Sequence, residues 1–341
     1  MAEQDFAQQV RAGREGTVFM DRPNWGRLRV TGADRATFLH NLTTNDIKGL
    51  APGQGCSAVV INQRAQILDH VDVYALADAF YVITGPNKAA ETLAWWDRYL
   101  ITEQVELKDE TEGSWLIDVT GPQAATLIGQ LVPGAGELGE FGNVEGTLGG
   151  APVRVLRTQG VHGNGYHVVS AEADAAKVRQ ALIDAGAIAI GDEAFEVLRA
   201  EWGYPLVGRE LTENNNPWEA RLDGSVSLNK GCYLGQEVVA RLNTYNKVQR
   251  YLVGLRLPDD RLPDAAPRLF DAEDKEVGFL TTAVTPPGET RAIALGFVKG
   301  AYASEGQTLT LKWGDHAEPV EVVDLPFWKG RTRDAAAPSR A

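Results

Sequence analysis

Two stretches of this chain, 89 positions apart, repeat each other. Residues 30–39 read Val-Thr-Gly-Ala-Asp-Arg-Ala-Thr-Phe-Leu, and residues 119–128 read Val-Thr-Gly-Pro-Gln-Ala-Ala-Thr-Leu-Ile. Aligned without gaps, they share Val, Thr, Gly, Ala and Thr and set Phe38 against Leu127. Each ends an apolar alternation and opens apolar residues at helical spacing, so each reads as strand, tight turn and helix. Pro122 suits the first turn of its helix, where no partner is lost with the missing N–H. A second strand-to-helix step follows in both. Tyr81-Val-Ile-Thr precedes a helical pattern of Leu93, Trp96 and Leu100, and Tyr166-His-Val-Val-Ser precedes one of Val178, Leu182 and Ile183. Tyr81 and Tyr166 lie 85 positions apart, close to the first offset. Two steps that recur in order at nearly equal offsets indicate a duplication.

Between the two steps lie further β-like runs. The first unit has Ser57–Ile61 and Ile67–Leu76, joined by Asn62-Gln-Arg-Ala; the second has Pro152–Thr158, then a turn with Gly160, Gly163 and Gly165. Residues 17–112 and 113–200 therefore read as two βαββαβ halves, the ferredoxin-like pattern. Asp192 is a good N-cap for a helix from Glu193 to Trp202. From Tyr204 to Gly224 the chain is rich in Gly, Pro and Asn and reads as a long ordered loop; such loops are more often functional than not. From Tyr251 onward, short apolar runs (Val253–Leu257, Val277–Thr282, Ala292–Val298, Thr308–Trp313, Val320–Val323) alternate with Pro, Gly and Asp turns. They predict a small antiparallel β-barrel or sandwich. The expected fold class is α+β. A region 1–247 comprises the two halves and a loop segment 201–247; a barrel covers 248–328; a small, polar tail, 329–341, is expected to be disordered.

Composition narrows the function. The 341 residues suit two or three domains. A formal net charge of −13 disfavours nonspecific binding to nucleic acid or an anionic membrane. The N-terminus has no basic segment followed by an apolar run, and no stretch approaches 18 uninterrupted apolar residues. Two cysteines, Cys56 and Cys232, exclude a disulfide framework and a cysteine-rich metal site, and they fit a reducing cytoplasm. His40, His70, His162, His167 and His316 show no metal-ligand spacing, so no metal is expected. The P-loop, H-E-x-x-H, G-x-S-x-G and G-x-G-x-x-G motifs are missing.

One segment is more specific. Lys230 to Glu237 reads Lys-Gly-Cys-Tyr-Leu-Gly-Gln-Glu. It resembles the K-G-C-Y-x-G-Q-E signature of the YgfZ-type folate-binding proteins that maintain iron–sulfur proteins, and of their mitochondrial relatives. Phe38-Leu-His-Asn-Leu-Thr-Thr-Asn-Asp46 resembles that family's F-L-x-x-x-x-T-N-D run, and Arg199-Ala-Glu201-Trp-Gly203 resembles the R-x-E-x-G of its superfamily, which includes the aminomethyltransferase (T-protein) of glycine cleavage. The resemblance implies a three-domain cloverleaf around a channel that holds tetrahydrofolate. It implies a tetrahydrofolate-binding accessory factor for assembly or repair of iron–sulfur proteins. Its partners would be folate and iron–sulfur clients or assembly factors, and it would act as a monomer. The alternative is a tetrahydrofolate-dependent aminomethyltransferase, or another one-carbon transferase.

The resemblance also assigns residues. A pterin presents a ring N–H beside an exocyclic amine, two donors that one carboxylate accepts together. Glu201 matches the superfamily's pterin-holding Glu; otherwise it is a solvated helix-end residue. Trp202 and Tyr204 either stack on the ring or pack in a core. Tyr233 is counted with the folate contacts. Arg241, Lys247 and Arg250 are either a site for the anionic folate tail or scattered surface charge. Cys232, between glycines and near Lys230, is the expected reactive thiol, its thiolate stabilised by that cation; the bland reading is an inert cysteine. One cysteine cannot hold a cluster alone. Where the aminomethyltransferases carry a catalytic Asp, the alignment places Thr92, whose hydroxyl cannot replace a carboxylate.

Overall fold

A computed structural model describes residues 2–245, 247–263 and 267–327; the tail expected at 329–341 lies outside them. The chain starts with α1 (Ala2–Glu15) and β1 (Val18–Asp21). The first half follows as β2 (Trp25–Thr31), α2 (Arg35–Leu42), β3 (Gly55–Ile61), β4 (Ile67–Ala75), β5 (Phe80–Pro86), α3 (Ala89–Asp97) and β6 (Glu106–Asp109). The second repeats it as β7 (Ser114–Thr120), α4 (Ala124–Leu131), β8 (Asn143–Leu148), β9 (Ala151–Thr158), β10 (Gly165–Ala171), α5 (Ala175–Asp184) and β11 (Ile188–Ala189).

The first sheet runs β6-β2-β5-β4-β3, and the second runs β11-β1-β7-β10-β9-β8. Read outward from β2 and β7, the two orders are the same, so the duplication is real. Each half has one strand more than βαββαβ: the runs at 55–61 and 67–75 are both strands, and so is the run that carries Tyr81. The extra strand reverses β5, which pairs antiparallel with β2. The boundary expected at 112/113 is crossed by β1. Although it lies in the first segment, β1 pairs with β7 and β11 of the second sheet, and Phe19 enters that half's core.

The repeated turn explains the shared glycine. Gly32 and Gly121 have φ of 101° and 128°, a region open to glycine but costly to other residues. A Cβ there would lie 2.0 Å from the Gln104 carbonyl oxygen and 2.3 Å from that of Gly16.

Strand β5 is buried along almost its whole length, which suits its unbroken apolar run. Phe80 and Val82 join Phe38, Leu39 and Trp96 beneath the helices. Tyr81 and Ile83 turn the other way and meet Leu116, Leu156 and Val169 of the second sheet. The two sheets thus face each other, each backed by its own helices. A fully buried side chain of this size contributes roughly 1.5–3 kcal/mol.

Helix α6 (Asp192–Trp202) links the halves to the rest; its N-cap is Gly191, so Asp192 is its first residue rather than its cap. The segment after it lays Val207, Leu211, Trp218 and Tyr233 on Val59, Ile61 and Ile67, and ends in α7 (Gln236–Thr244). The barrel closes through β12 (Arg250–Arg256), β13 (Arg268–Phe270), β14 (Glu276–Val284), β15 (Ile293–Lys299), β16 (Thr308–Trp313) and β17 (His316–Val323), in the order β12-β15-β14-β13-β16-β17. Five of these strands match the apolar runs; β13, three residues long, has no such run. No helix among the described residues is long and apolar enough to cross a membrane.

Candidate functional site

Strand β4 reads Ile-Leu-Asp-His-Val-Asp-Val-Tyr-Ala and sits inside the first sheet, between β3 and β5. Successive side chains of a strand point to opposite faces. Asp69, Val71 and Val73 turn to the helices, while His70, Asp72 and Tyr74 turn to the second sheet. His70 and Asp72 line a cleft there, together with Trp25, Gly85, Tyr204 and Val207. Its volume of about 20 Å³ suits a water molecule. Trp25 and the Tyr204–Val207 segment must part to admit a ring.

The groups in this cleft are far from their ordinary ionisation. Burial raises the Asp72 carboxyl to about 7, and the charges of Asp118 and Glu140 add to the rise. Hydrogen bonds donated by Thr158 Oγ1 at 2.6 Å and the Tyr74 hydroxyl at 3.4 Å oppose it. Burial lowers His70 to about 4, so its ring is neutral at physiological pH; Nε2 lies 2.9 Å from Ser225 Oγ, itself 2.7 Å from Ser57 Oγ. Burial, with the charges of Asp72 and Asp118, pushes the Tyr204 hydroxyl up, so it remains a donor. On the second sheet's side, His167 Nε2 is 3.8 Å from Asp72 Oδ2 and His167 Nδ1 is 3.6 Å from Asp118 Oδ1. Arg22 Nη2 lies 3.6 Å from Asp118 Oδ2.

Directly behind Gly85 is a second carboxyl. Asp69 accepts from the amides of Gly85 at 3.0 Å and His70 at 2.9 Å, and from Thr92 Oγ1 at 2.8 Å. Burial raises it to about 7 against those bonds. Thr92, the residue aligned with the catalytic Asp, therefore points inward and binds a carboxyl. Its neighbour Glu91 points outward and pairs with Lys88.

The signature loop does something other than expected. Lys230 is buried, and its ammonium donates to the carbonyls of His40, Thr43 (2.6 Å) and Asn45 (2.6 Å). These carbonyls end or follow α2, where a helix leaves acceptors without partners. Burial lowers Lys230 to about 7, yet three acceptors call for the three N–H groups of the charged form. Lys230 thus anchors the loop to α2, and its charge is spent on carbonyls rather than on the Cys232 thiol. Cys232 itself is exposed. Cys56 is held near 12, chiefly by burial, and stays a thiol. Tyr233 is buried in the cluster that holds Ile61, Val207, Leu211 and Val239, with the Lys230 ammonium 4.8 Å from its ring centroid.

The remaining expected residues divide. Tyr204 reaches the cleft. Glu201 does not present a vacant carboxylate: Arg14 of α1 grips it through Nε (3.1 Å) and Nη2. Trp202 packs with Val161 and Phe195 and touches the His162 ring. Arg250 is tied to Asn214 and Glu219 and lies over Phe279 and Phe297, holding the barrel to the preceding loop. Arg241 and Lys247 are exposed.

Sequence reasoning missed Asp72, His70, Asp69, Asp118, His167 and Arg22. A signal was present for most of them: ionisable residues inside apolar strand runs, as in Leu-Asp-His-Val-Asp-Val and Leu-Ile-Asp-Val. A strand buried on both faces tolerates such residues only where they are paired or used.

Residues 2–230 match the GCVT N-terminal domain, and residues 250–329 match the glycine cleavage T-protein C-terminal barrel domain. A chloroplastic protein of Arabidopsis thaliana, named as a transferase, is 33% identical over 314 residues, which cover 92% of this chain and 71% of that one. The aminomethyltransferase of Synechococcus elongatus is 30% identical over 335 residues, covering 96% and 89%. The fold matches the crystal structure of aminomethyltransferase T of the glycine cleavage system from Bartonella henselae, with a TM-score of 0.84 over 95% of this chain and 89% of that one, at 24% identity. The chain therefore belongs to the glycine-cleavage T-protein, or aminomethyltransferase, family.

Proposed function

We propose that this protein is a tetrahydrofolate-dependent one-carbon transferase whose pteridine enters the cleft between the first half and the segment that follows α6. The observation that carries this reading is Asp72, a cleft-lining carboxyl held near neutrality beside Trp25 and Tyr204. A carboxyl poised near the working pH can accept the paired N–H donors of a pteridine and can exchange a proton with it. Trp25 and Tyr204 offer faces to the ring. Tetrahydrofolate would supply the nitrogen that carries the one-carbon group. Every group named belongs to one chain, so a monomer suffices.

Thr92, hydrogen-bonded to Asp69, provides no exposed carboxylate of its own. The transfer step therefore differs from one built on an Asp at that position, and Asp72 is our acid–base candidate. At 100-fold excess over its dissociation constant, tetrahydrofolate should stabilise the wild type by about 2.7 kcal/mol, and Asp72→Asn should lose most of this gain. Equal stabilisation of both proteins would remove Asp72 from the site.

A second reading, maintenance of iron–sulfur proteins in a reducing cytoplasm, is favoured by the exposed thiol of Cys232. It requires that cells lacking the protein lose iron–sulfur enzyme activity and regain it from the wild type but not from Cys232→Ala. Full rescue by Cys232→Ala would end that role for the thiol.

A further inference from the structure

Behind His70 runs a short chain of hydroxyls that the proposed transfer does not use. Ser57 of β3 and Ser225, in the turn Asp223–Ser225, are 2% and 5% exposed. Ser225 is pinned by its backbone: its carbonyl accepts from Thr44 Oγ1 at 2.6 Å, and its amide donates to the Leu222 carbonyl at 3.0 Å. Its hydroxyl stands 2.7 Å from Ser57 Oγ and 2.9 Å from His70 Nε2. Among the described residues, Ser57 Oγ has no other hydrogen bond, and His70 Nδ1 has none. His70 is only half-buried, and its side chain lines the cleft.

The protons of this chain can run in one sense only without loss. A hydroxyl carries one proton, and a neutral imidazole carries one N–H. If His70 Nε2–H donated to Ser225, Ser225 would donate to Ser57, and the Ser57 proton would be buried with no acceptor, at the cost of its desolvation. In the opposite sense Ser57 donates to Ser225, Ser225 donates to Nε2, and every hydroxyl proton is used. The proton of the ring then sits on Nδ1, the nitrogen that no described residue meets. The hydrogen bond made by one ring nitrogen thus sets the state of the other.

Resting on the folate reading, we infer that Ser57 and Ser225 are positioning residues that hold His70 in the Nδ1–H form, so that it gives the bound substrate a fixed hydrogen bond from Nδ1. The group it meets must carry a lone pair: a carbonyl or carboxylate oxygen, or an unprotonated amine. A substrate that presented an N–H there would set donor against donor and be rejected. Two neighbours on β4 divide the work. Asp72, held near neutrality, exchanges a proton; His70, kept neutral by burial, only donates.

The tautomer can be read directly. Ring-nitrogen NMR of the whole protein labelled in histidine distinguishes a protonated from a bare ring nitrogen, and His70→Gln identifies the His70 signals. We expect Nδ1 protonated and Nε2 bare in the wild type at neutral pH, and a shift toward Nε2–H in Ser225→Ala, where the donor to Nε2 is gone. Tetrahydrofolate should move the Nδ1 signal, and Ser225→Ala should bind it at least about fivefold more weakly in calorimetry, the worth of one neutral hydrogen bond. A wild type with the proton on Nε2, or a Ser225→Ala variant that keeps the wild-type tautomer, overturns the positioning role. Tetrahydrofolate binding that leaves the His70 signals in place, with Ser225→Ala within about twofold of the wild type, overturns the donor role. If Ser225→Ala does not fold, Ser57→Ala, which removes the first donor of the chain, decides in its place. A wild type that does not bind tetrahydrofolate defeats the folate reading and with it the bond from Nδ1 to substrate, whereas the tautomer alone still decides what Ser57 and Ser225 do.

Discussion

Arg199 and Arg22 are both buried, both stand beside carboxylates, and both act electrostatically on Tyr204. Arg199 is completely engaged. It donates to Glu196 (2.7 and 2.9 Å), Glu210 (3.0 Å), the Tyr204 carbonyl (3.3 Å) and Thr282 of the barrel (2.7 Å). Thr282 in turn donates to Glu210 at 2.8 Å. Burial opposes its charge, but Glu196 and Glu210 prevail and raise its pKa. Arg22 has a carboxylate at 3.6 Å and two nitrogens with no hydrogen bond. A polar network completed by the protein itself holds elements together; one the protein leaves incomplete costs stability unless another molecule, water included, completes it. Arg199 thus joins α6, the cleft loop and the barrel, while Arg22 stands beside Asp118 of the second sheet.

This contrast can be broken by mutation. Arg199→Met leaves Glu210 buried without its cation and should cost about 3–5 kcal/mol in urea unfolding; a loss below about 1 kcal/mol would mean that the network does not hold the joint. Titration gives the next largest effect. Asp69 and Asp72 are both buried and titrate near 7 in the folded protein, against a reference value of 3.8. Their folded pKa values are raised, so between pH 3.8 and 7 the folded state holds more protons than the unfolded one. Stability should therefore fall as pH rises through this window, by up to about 1.4 kcal/mol per pH unit for each carboxyl. Asp72→Asn should flatten the slope, and an unchanged slope between pH 5 and pH 7 would show that Asp72 is ionised throughout. The smallest effect belongs to Arg22→Met, which gives up no hydrogen bond from Nε or Nη2 but removes the cation 3.6 Å from buried Asp118 and 3.8 Å over the Phe195 ring, and should cost about 1–2 kcal/mol without folate. A cost equal to that of Arg199→Met would erase the difference between the two arginines.

Much of the architecture was legible because it rests on periodicity. The Val-Thr-Gly turns, the two strand-to-helix steps and most barrel strands carry their own local patterns. Strands β1, β6, β11 and β13 were not seen, since four residues or fewer leave no pattern to read, and β8, whose Asn-Val-Glu-Gly-Thr-Leu holds only two large apolar residues, was not seen either. Nor does local pattern show that β1 crosses to the other half, because that pairing is settled by Phe19 entering a distant core. Of the site, only Tyr204 came forward from the sequence into the cleft. The other groups converge from β4, β7, β10 and the segment after β1, and their proximity exists only once the two sheets face each other. Lys230 illustrates the opposite problem. Its motif is conspicuous, but its three carbonyl partners lie some 185–190 positions away in the chain, so spacing alone could not distinguish an anchor from an activator.

The most direct test of the cleft as the folate site is amide hydrogen exchange of the wild type with and without tetrahydrofolate. Slower exchange should appear in residues 204–211 and in β4 and β5, which line the cleft, and should be absent from barrel strands β13 and β16. Binding that protects the barrel alone, or leaves 204–211 unchanged, would contradict this assignment.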